Sequence, residues 1–253
     1  MSPFDLTGRR ALITGSGQGI GLALARALAA AGAAVILNGR DEAKLDRAAA
    51  ALRETGATVT TAAFDVTDPA AVTAGIAQIV SEGPLHILVN NAGLTRRIPL
   101  QDVTQETWHE VMRTNLDAVF TVGQAVARHM IARGEGGKIV NVCSVQSEAG
   151  RPGTAPYASS KGAVKMLTKG MCADWAKYGI QVNGLGPGYF ETELTQALVD
   201  DPAFTAWLCA RTPAGRWGQV DELGGSIVFL CAPASDFVNG HVLYVDGGMT
   251  SVL

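Results

Sequence analysis

Tyr157 and Lys161 stand four residues apart, a spacing that puts two side chains on one face of a helix. A phenol with a pKa near 10 is a poor base at neutral pH. A neighbouring ammonium favours phenolate and lowers that value. Ser144, just past an apolar run, adds a hydroxyl that can hold a substrate oxygen. Such a group suits proton exchange with an alcohol or carbonyl oxygen. Tyr-x-x-x-Lys alone is a common accident. It gains weight from what precedes it: Gly15, Gly19 and Gly21, then Asn91-Ala92-Gly93, then Asn115, then Ser144.

The segment Thr14-Gly15-Ser16-Gly17-Gln18-Gly19-Ile20-Gly21 follows one apolar run and opens a helical pattern. Glycines allow close backbone approach and the helix N-terminus attracts an anion, so this turn suits a dinucleotide pyrophosphate. Gly15, Ser16, Gln18, Gly19, Ile20 and Gly21 are therefore candidate cofactor contacts. The second apolar run ends Asn38-Gly39-Arg40. An acid there would bind the adenosine 2′-hydroxyl of NAD. Gly39 offers none, and Arg40 offers a guanidinium for a 2′-phosphate, unless it is an ordinary surface arginine. Asp41 reads better as a helix cap. Asp65-Val66 and Asn91-Ala92-Gly93 end later runs, where ligands bind in open α/β sheets.

The elements that position these residues alternate. Strands are expected at 10–14, 34–38, 58–64, 87–90, 138–143, 181–185 and 242–245. Helices are expected at 20–31, 42–54, 69–82, 105–132, 157–178 and 221–231. Runs such as Ala11-Leu12-Ile13 and Ile87-Leu88-Val89 suit strands covered on both faces. Asp41 and Asp68, the latter before Pro69, sit where caps belong. The alternation implies an α/β fold: one doubly wound Rossmann-type domain with a seven-stranded parallel sheet flanked by helices. The nucleotide-binding half would span about 8–115 and the catalytic half about 116–253. Residues 191–218, with Phe204, Trp207 and Trp217, break the alternation with a small helical insertion, read either as a lid or as core packing.

Composition excludes other classes. The chain has 253 residues, 47% of them hydrophobic, with 20 Lys plus Arg against 23 Asp plus Glu, a net charge of −3. No basic block suggests nucleic acid or an anionic membrane. The longest apolar run, residues 27–37, is far short of the roughly 20 a membrane span needs. The first ten residues lack the apolar stretch of a signal peptide. Cys143, Cys172, Cys209 and Cys231 form no CxxC pair and read as reduced, buried thiols of a cytoplasmic protein. His86, His109, His129 and His241 are scattered and read as surface or structural residues, so no metal site is expected. Gly is 30 of 253, against a usual share near 7%, which fits backbone wrapped around a phosphate-bearing ligand.

TGSGQGIG at 14–21, NNAG at 90–93, Asn115, Ser144, YASSK at 157–161 and PGYFET at 187–192 together resemble the short-chain dehydrogenase/reductase family, over essentially the whole chain. The resemblance implies a tetrad of Asn115, Ser144, Tyr157 and Lys161. Tyr157 would exchange the proton and Ser144 would orient the substrate oxygen. Lys161 would bind the nicotinamide ribose and lower the Tyr157 pKa, and Asn115 would hold a water linking Lys161 to solvent. Pro187, Gly188, Phe190 and Thr192 would flank the nicotinamide. The family usually forms dyad-symmetric homotetramers; helices 105–132 and 157–178 and the apolar stretch 242–253 would make the contacts.

NNAGLTRR at 90–97, CSVQSEAGR at 143–151, GMCADWAKYGIQVNG at 170–184 and the stretches 187–201 and 204–218 are similar to the branch of that family that interconverts D-gluconate and 5-keto-D-gluconate. The implied cofactor is NADP, with NAD as a weaker alternative, and the implied substrate a sugar acid. Its carboxylate calls for an arginine. Arg96 and Arg97 lie just past Gly93; a loop gives no periodicity to choose between them, and both could be a solvated pair. Gln146 and Arg151 lie on the loop after Ser144. Two rivals stand: a reductase of another keto substrate, such as a 3-oxoacyl thioester or a different sugar acid, and a non-catalytic dinucleotide-binding regulator.

Overall fold

The computed structural model describes residues 2–193 and 195–252. Met1, Leu194 and Leu253 lie outside them, including the last residue of the C-terminal stretch expected to meet a neighbour. Seven parallel strands form one sheet in the order β3-β2-β1-β4-β5-β6-β7. They are β1 Arg10–Ile13, β2 Ala34–Gly39, β3 Val59–Ala63, β4 Ile87–Asn90, β5 Gly137–Val142, β6 Ile180–Pro187 and β7 Val242–Val245. Order reverses between β1 and β4, where the crevice of a doubly wound sheet opens at the carboxyl ends of the strands.

Strand period explains the two cores. In β1, Ala11 and Ile13 face one side and Leu12 the other; in β4, Ile87 and Val89 face the first side and Leu88 the second. All six are essentially sealed from solvent. The first face is covered by α1 (Gly19–Ala30), α2 (Glu42–Arg53) and α9 (Gly224–Cys231), through Leu24, Leu28, Leu45, Leu52 and Ile227. The second is covered by α3 (Pro69–Ser81), α5 (Ala118–Arg133) and α6 (Ala155–Trp175), through Ile76, Val122, Val126, Val164 and Met171. Asp41 accepts from Lys44 N, and Asp68 from Ala70 N and Ala71 N with Pro69 following, so both expected caps form.

Three expectations are corrected. The helix expected at 105–132 is two helices, α4 (Gln105–Met112) and α5, joined by a π-turn at Arg113–Asp117. Apolar periodicity carries no sign of one extra residue in a turn, and such turns gather at functional sites. The helix expected at 157–178 starts at Ala155, where Pro156 suits the first turn, and ends at Trp175. Of the four thiols, Cys143 and Cys231 are buried but Cys172 and Cys209 are only half-buried.

The insertion holds two short helices, α7 (Gln196–Val199) and α8 (Pro202–Arg211). Its aromatics divide. Trp217 is buried, donates its indole N–H to Thr205 Oγ1 at 3.2 Å, and packs with Leu208, Val145 and Met249 in a small third core. Trp207 is half exposed. His86 Nδ1 accepts from Arg10 N and His129 Nε2 from Leu85 N, so both serve backbone bonding. No helix among the described residues is long and apolar enough to cross a membrane, and none of their His, Cys, Asp and Glu cluster in metal-binding fashion.

Candidate active site

A cleft of about 810 Å³ runs along the carboxyl ends of the strands, from the glycine-rich turn to the segment after β6. At its nucleotide end, Thr14 Oγ1 accepts from Asn91 N and Ala92 N, both at 3.0 Å. Asn91 Nδ2 returns to the carbonyls of Thr14 and Gly15 at 2.9 and 3.0 Å. This clasp ties the β1 turn to the end of β4 across the crevice. Two glycines have no room for a side chain there: a Cβ on Gly15 would come 2.9 Å from Ala92 Cα, and one on Gly21 would press on Asn91 Nδ2 and the Gly15 carbonyl oxygen.

Helix α1 starts at Gly19 with no side-chain cap and no acidic residue in its first turn. Its free N–H groups and positive dipole end face the cleft beside Gln18, Ile20 and Gly21, which fits a pyrophosphate. Ser16 departs from expectation. It does not line the cleft. Its hydroxyl donates to Ile13 O at 2.7 Å and accepts from Asn38 N at 3.0 Å. Ser16 builds the turn from within, and Gly17 takes the cleft-lining position that sequence reasoning passed over.

Asn38, Arg40, Asp65 and Val66 border the next stretch of the cleft. The Asn38 amide is buried and donates to Ala62 O and Phe64 O, so it braces the strand ends. Arg40 is 80% exposed, and its guanidinium stands 3.8 Å from the Asp65 carboxylate. Burial works to raise Asp65, but hydrogen bonds from Thr67 and the Arg40 charge prevail and hold its pKa below the usual carboxylate value. Lys44 was missed. It lines the cleft from the first turn of α2, with its stem 3.4–3.6 Å from the Cβ position Gly17 lacks. Only the tertiary meeting of α2 with the first turn places it there. Two cations and no acid at Gly39 fit a phosphate on the adenosine ribose.

Ser144, Tyr157 and Lys161 converge at the middle of the cleft. Ser144 caps a short turn after β5, and its hydroxyl lies close enough to Tyr157 to favour the phenolate. Burial raises the Tyr157 pKa, and the Ser144 contact only partly offsets it. The expected depression by Lys161 is not what this geometry gives. Lys161 Nζ lies 5.8 Å from the Tyr157 ring centroid and donates to the Val142 carbonyl at 2.6 Å. Burial takes the Lys161 ammonium down to about 8. Asn115, fully buried in the π-turn, does not line the cleft. Its Oδ1 accepts from Leu94 N at 2.8 Å, and its Nδ2 donates to Leu94 O and to Ser160 Oγ. Its amide therefore holds the loop after Gly93 against α6, just behind Tyr157 and Lys161.

Pro187, the last residue of β6, and Gly188, Phe190 and Thr192 beyond it line the cleft. Thr192 is held in a turn closed by Thr195, whose hydroxyl donates to Phe190 O at 2.7 Å. Glu193 reaches within 3.5 Å of the Cβ position of Gly19.

The far end separates the two candidate arginines. Arg96 is bound by two hydrogen bonds to Glu110, at 3.0 and 2.6 Å. Its charge is met within the protein, which argues against it as a free anion anchor. Arg97 has no acidic partner among the described residues; burial and the nearby Arg151 charge both lower its pKa. Gln146 accepts from Thr154 Oγ1 at 2.6 Å and lies beside Tyr189. Arg151 and Tyr189, from separate loops, complete this end. Periodicity cannot reveal such a cluster, because its members lie on three irregular segments.

The sequence profile of a family described as enoyl-(acyl carrier protein) reductase matches residues 15–250. The gluconate 5-dehydrogenase of Gluconobacter oxydans (strain 621H) is 60% identical over 248 residues, covering 98% of this chain and 96% of that protein. The 5-keto-D-gluconate 5-reductase of Escherichia coli (strain K12) is 52% identical, covering 97% of each. A crystal structure of a gluconate 5-dehydrogenase from Burkholderia cenocepacia J2315, in complex with NADP and tartrate, is 63% identical with a TM-score of 0.97, covering 99% of this chain and 98% of that one.

Proposed function

From the premise that the chain belongs to the short-chain dehydrogenase/reductase family, we propose that it is an NADP-dependent oxidoreductase that interconverts D-gluconate and 5-keto-D-gluconate. One observation carries this: near-full-length identity of 60% to a gluconate 5-dehydrogenase.

When bound, NADP carries the hydride. The rest of the work falls to the chain. The open first turn of α1, with Gly15, Gly19 and Gly21, holds the pyrophosphate, while Arg40 and Lys44 meet the 2′-phosphate. Asn91, Ala92 and Gly93 and the turn through Thr192 close on the nicotinamide end. Tyr157 is kept protonated by burial, so at neutral pH it is ready to donate a proton to the keto oxygen. Ser144 accepts from Gln146 N at 3.1 Å, which fixes its hydroxyl to hold that same oxygen beside Tyr157. Lys161, charged at neutral pH, is placed for the ribose hydroxyls. With its amide committed to Leu94 and Ser160, Asn115 acts by holding the loop after Gly93 against α6. Arg97 replaces the undecided Arg96/Arg97 pair as the loop arginine that faces substrate.

The catalytic half, about 116–253, then acts on substrate held against the nucleotide half, about 8–115, with 191–218 as a lid. We propose a homotetramer, supported by Phe120 on α5 and Met166 on α6, 48% and 61% exposed on the helices expected to make contacts. A cytoplasmic location completes the reading.

The test is oxidation of NADPH with 5-keto-D-gluconate, a panel of other keto sugar acids and a 3-oxoacyl thioester. The expected result is highest kcat/KM with 5-keto-D-gluconate; preference for the thioester would overturn the assignment. Tyr157→Phe keeps the ring and removes the proton. Turnover is expected to fall about 10²–10⁴-fold while NADPH still binds. Near-normal turnover would remove Tyr157 from the mechanism; no turnover of any of these substrates by the wild type would leave the regulator reading in place.

A further inference from the structure

The least satisfied charge in the cleft is Arg151. Its guanidinium lies 5.0 Å from the Phe204 ring centroid and 5.9 Å from that of Tyr189. Its Nε is shielded from solvent and finds no hydrogen-bond partner among the described residues, and no carboxylate among them pairs with it. A buried guanidinium N–H without a partner is costly, and Arg97 adds a second positive charge nearby. Evolved interiors retain such groups where a ligand completes them. The missing partner here is an anion.

Position narrows it. Arg151 stands on the loop that carries Ser144 and Gln146. Its carbonyl lies 2.9 Å from Thr154 Oγ1, whose single proton is shared between that carbonyl and the Gln146 amide oxygen at 2.6 Å. The group that holds the reacting oxygen and the group that lacks an anion therefore sit on one braced loop. Cation–π contact with two rings holds the guanidinium in place in advance, so less side-chain freedom is lost on binding. Arg96, by contrast, is neutralised by Glu110.

We propose that Arg151 is the residue that selects acids: its planar fork binds the substrate carboxylate and sets the preference for a sugar acid over the neutral polyol of the same carbon chain. This rests on the sugar-acid reading above. The same contact makes α8 a sensor of substrate charge, because Phe204, whose ring Arg151 faces, belongs to α8 and lies beside Trp207 and Trp217, with ring centroids 5.2 and 6.0 Å away.

The experiment compares D-gluconate with D-glucitol, which carries a hydroxymethyl in place of the carboxylate. D-glucitol is read as substrate or, where turnover is too slow, as competitor. In Arg151→Gln, kcat/KM for D-gluconate is expected to fall about tenfold to a hundredfold. D-glucitol should stay within about twofold of wild type, and NADPH affinity should be unchanged. Arg151→Lys keeps the charge but not the fork and should recover part of the loss; it also serves if the Gln variant fails to fold. Tryptophan fluorescence of the NADPH complex should respond to D-gluconate in wild type and not in Arg151→Gln. Equal losses for both substrates would mean a merely structural arginine, and an unchanged acid preference would mean the carboxylate is read elsewhere; either overturns the proposal. Failure of the underlying reading looks different: wild type itself would then handle D-gluconate no better than D-glucitol.

Discussion

Adding one methyl group at Gly21 should damage the protein out of proportion to its size. The new Cβ would fall on Asn91 Nδ2 and lie 2.5 Å from the Gly15 carbonyl oxygen. Neither neighbour is the free end of a flexible chain: one is held by two hydrogen bonds, the other is backbone. Overpacking of a tight site costs about 1–3 kcal/mol. Pushing Asn91 aside also breaks its bonds to Thr14 O and Gly15 O, each contributing about 0.5–1.5 kcal/mol. Together Gly21→Ala should destabilise by about 2–6 kcal/mol. At roughly 2–4 °C per kcal/mol for a chain of this size, the midpoint of about 4 kcal/mol lowers Tm by about 8–16 °C. Because the clasp shapes the pyrophosphate turn, NADPH affinity should fall by about tenfold or more. Gly225 in α9 is the control, since a Cβ there meets nothing within 4 Å. Gly225→Ala should gain about 0.5–1 kcal/mol from helix propensity. Differential scanning fluorimetry and NADPH fluorescence titration read both variants. A Gly21→Ala protein that melts and binds NADPH like wild type would refute the clasp argument.

Other expectations follow from charge. The Lys161 ammonium, at about 8 in the fold against an ordinary value near 10.5, costs stability below pH 8, and that cost is removed as pH rises towards 10.5. Relative to Lys161→Met, wild type should therefore gain up to about 3 kcal/mol in urea unfolding between pH 7 and pH 10.5; a difference that does not move with pH contradicts the buried charge. Gluconate oxidation needs Tyr157 deprotonated and should rise into alkaline pH, whereas keto-acid reduction should be strongest near neutrality; parallel profiles would count against a raised Tyr157. Arg40→Ala should weaken NADPH about tenfold and NADH hardly at all, an exposed charge contact that salt should also weaken; equal losses for the two cofactors would free Arg40 of its role. Arg96→Ala, which removes only the pair with Glu110, should leave KM for gluconate within about twofold; a large rise would return it to the substrate site.

How much of this was legible beforehand differs by residue. Strand runs such as Ile87-Leu88-Val89, the caps at Asp41 and Asp68, and the order from the glycine-rich turn to Tyr157 and Lys161 are properties of neighbours in the chain. Local sequence determines them because period, cap spacing and i,i+4 faces act within a few residues. Ser16 and Asn115, read as site residues, turn their side chains inward, since the partners that claim them, Asn38 and Ser160, come from distant segments. Arg96 and Arg97 were indistinguishable on a loop, and only the fold shows that Glu110 of α4 pairs with Arg96. Arg151 gained its meaning only when Tyr189 and Phe204 closed on it from beyond β6. The amino-acid order thus determined the framework and the reacting groups, which depend on short-range spacing. The tertiary structure decided which charges are already satisfied and which still await a ligand, because that depends on distances across the fold.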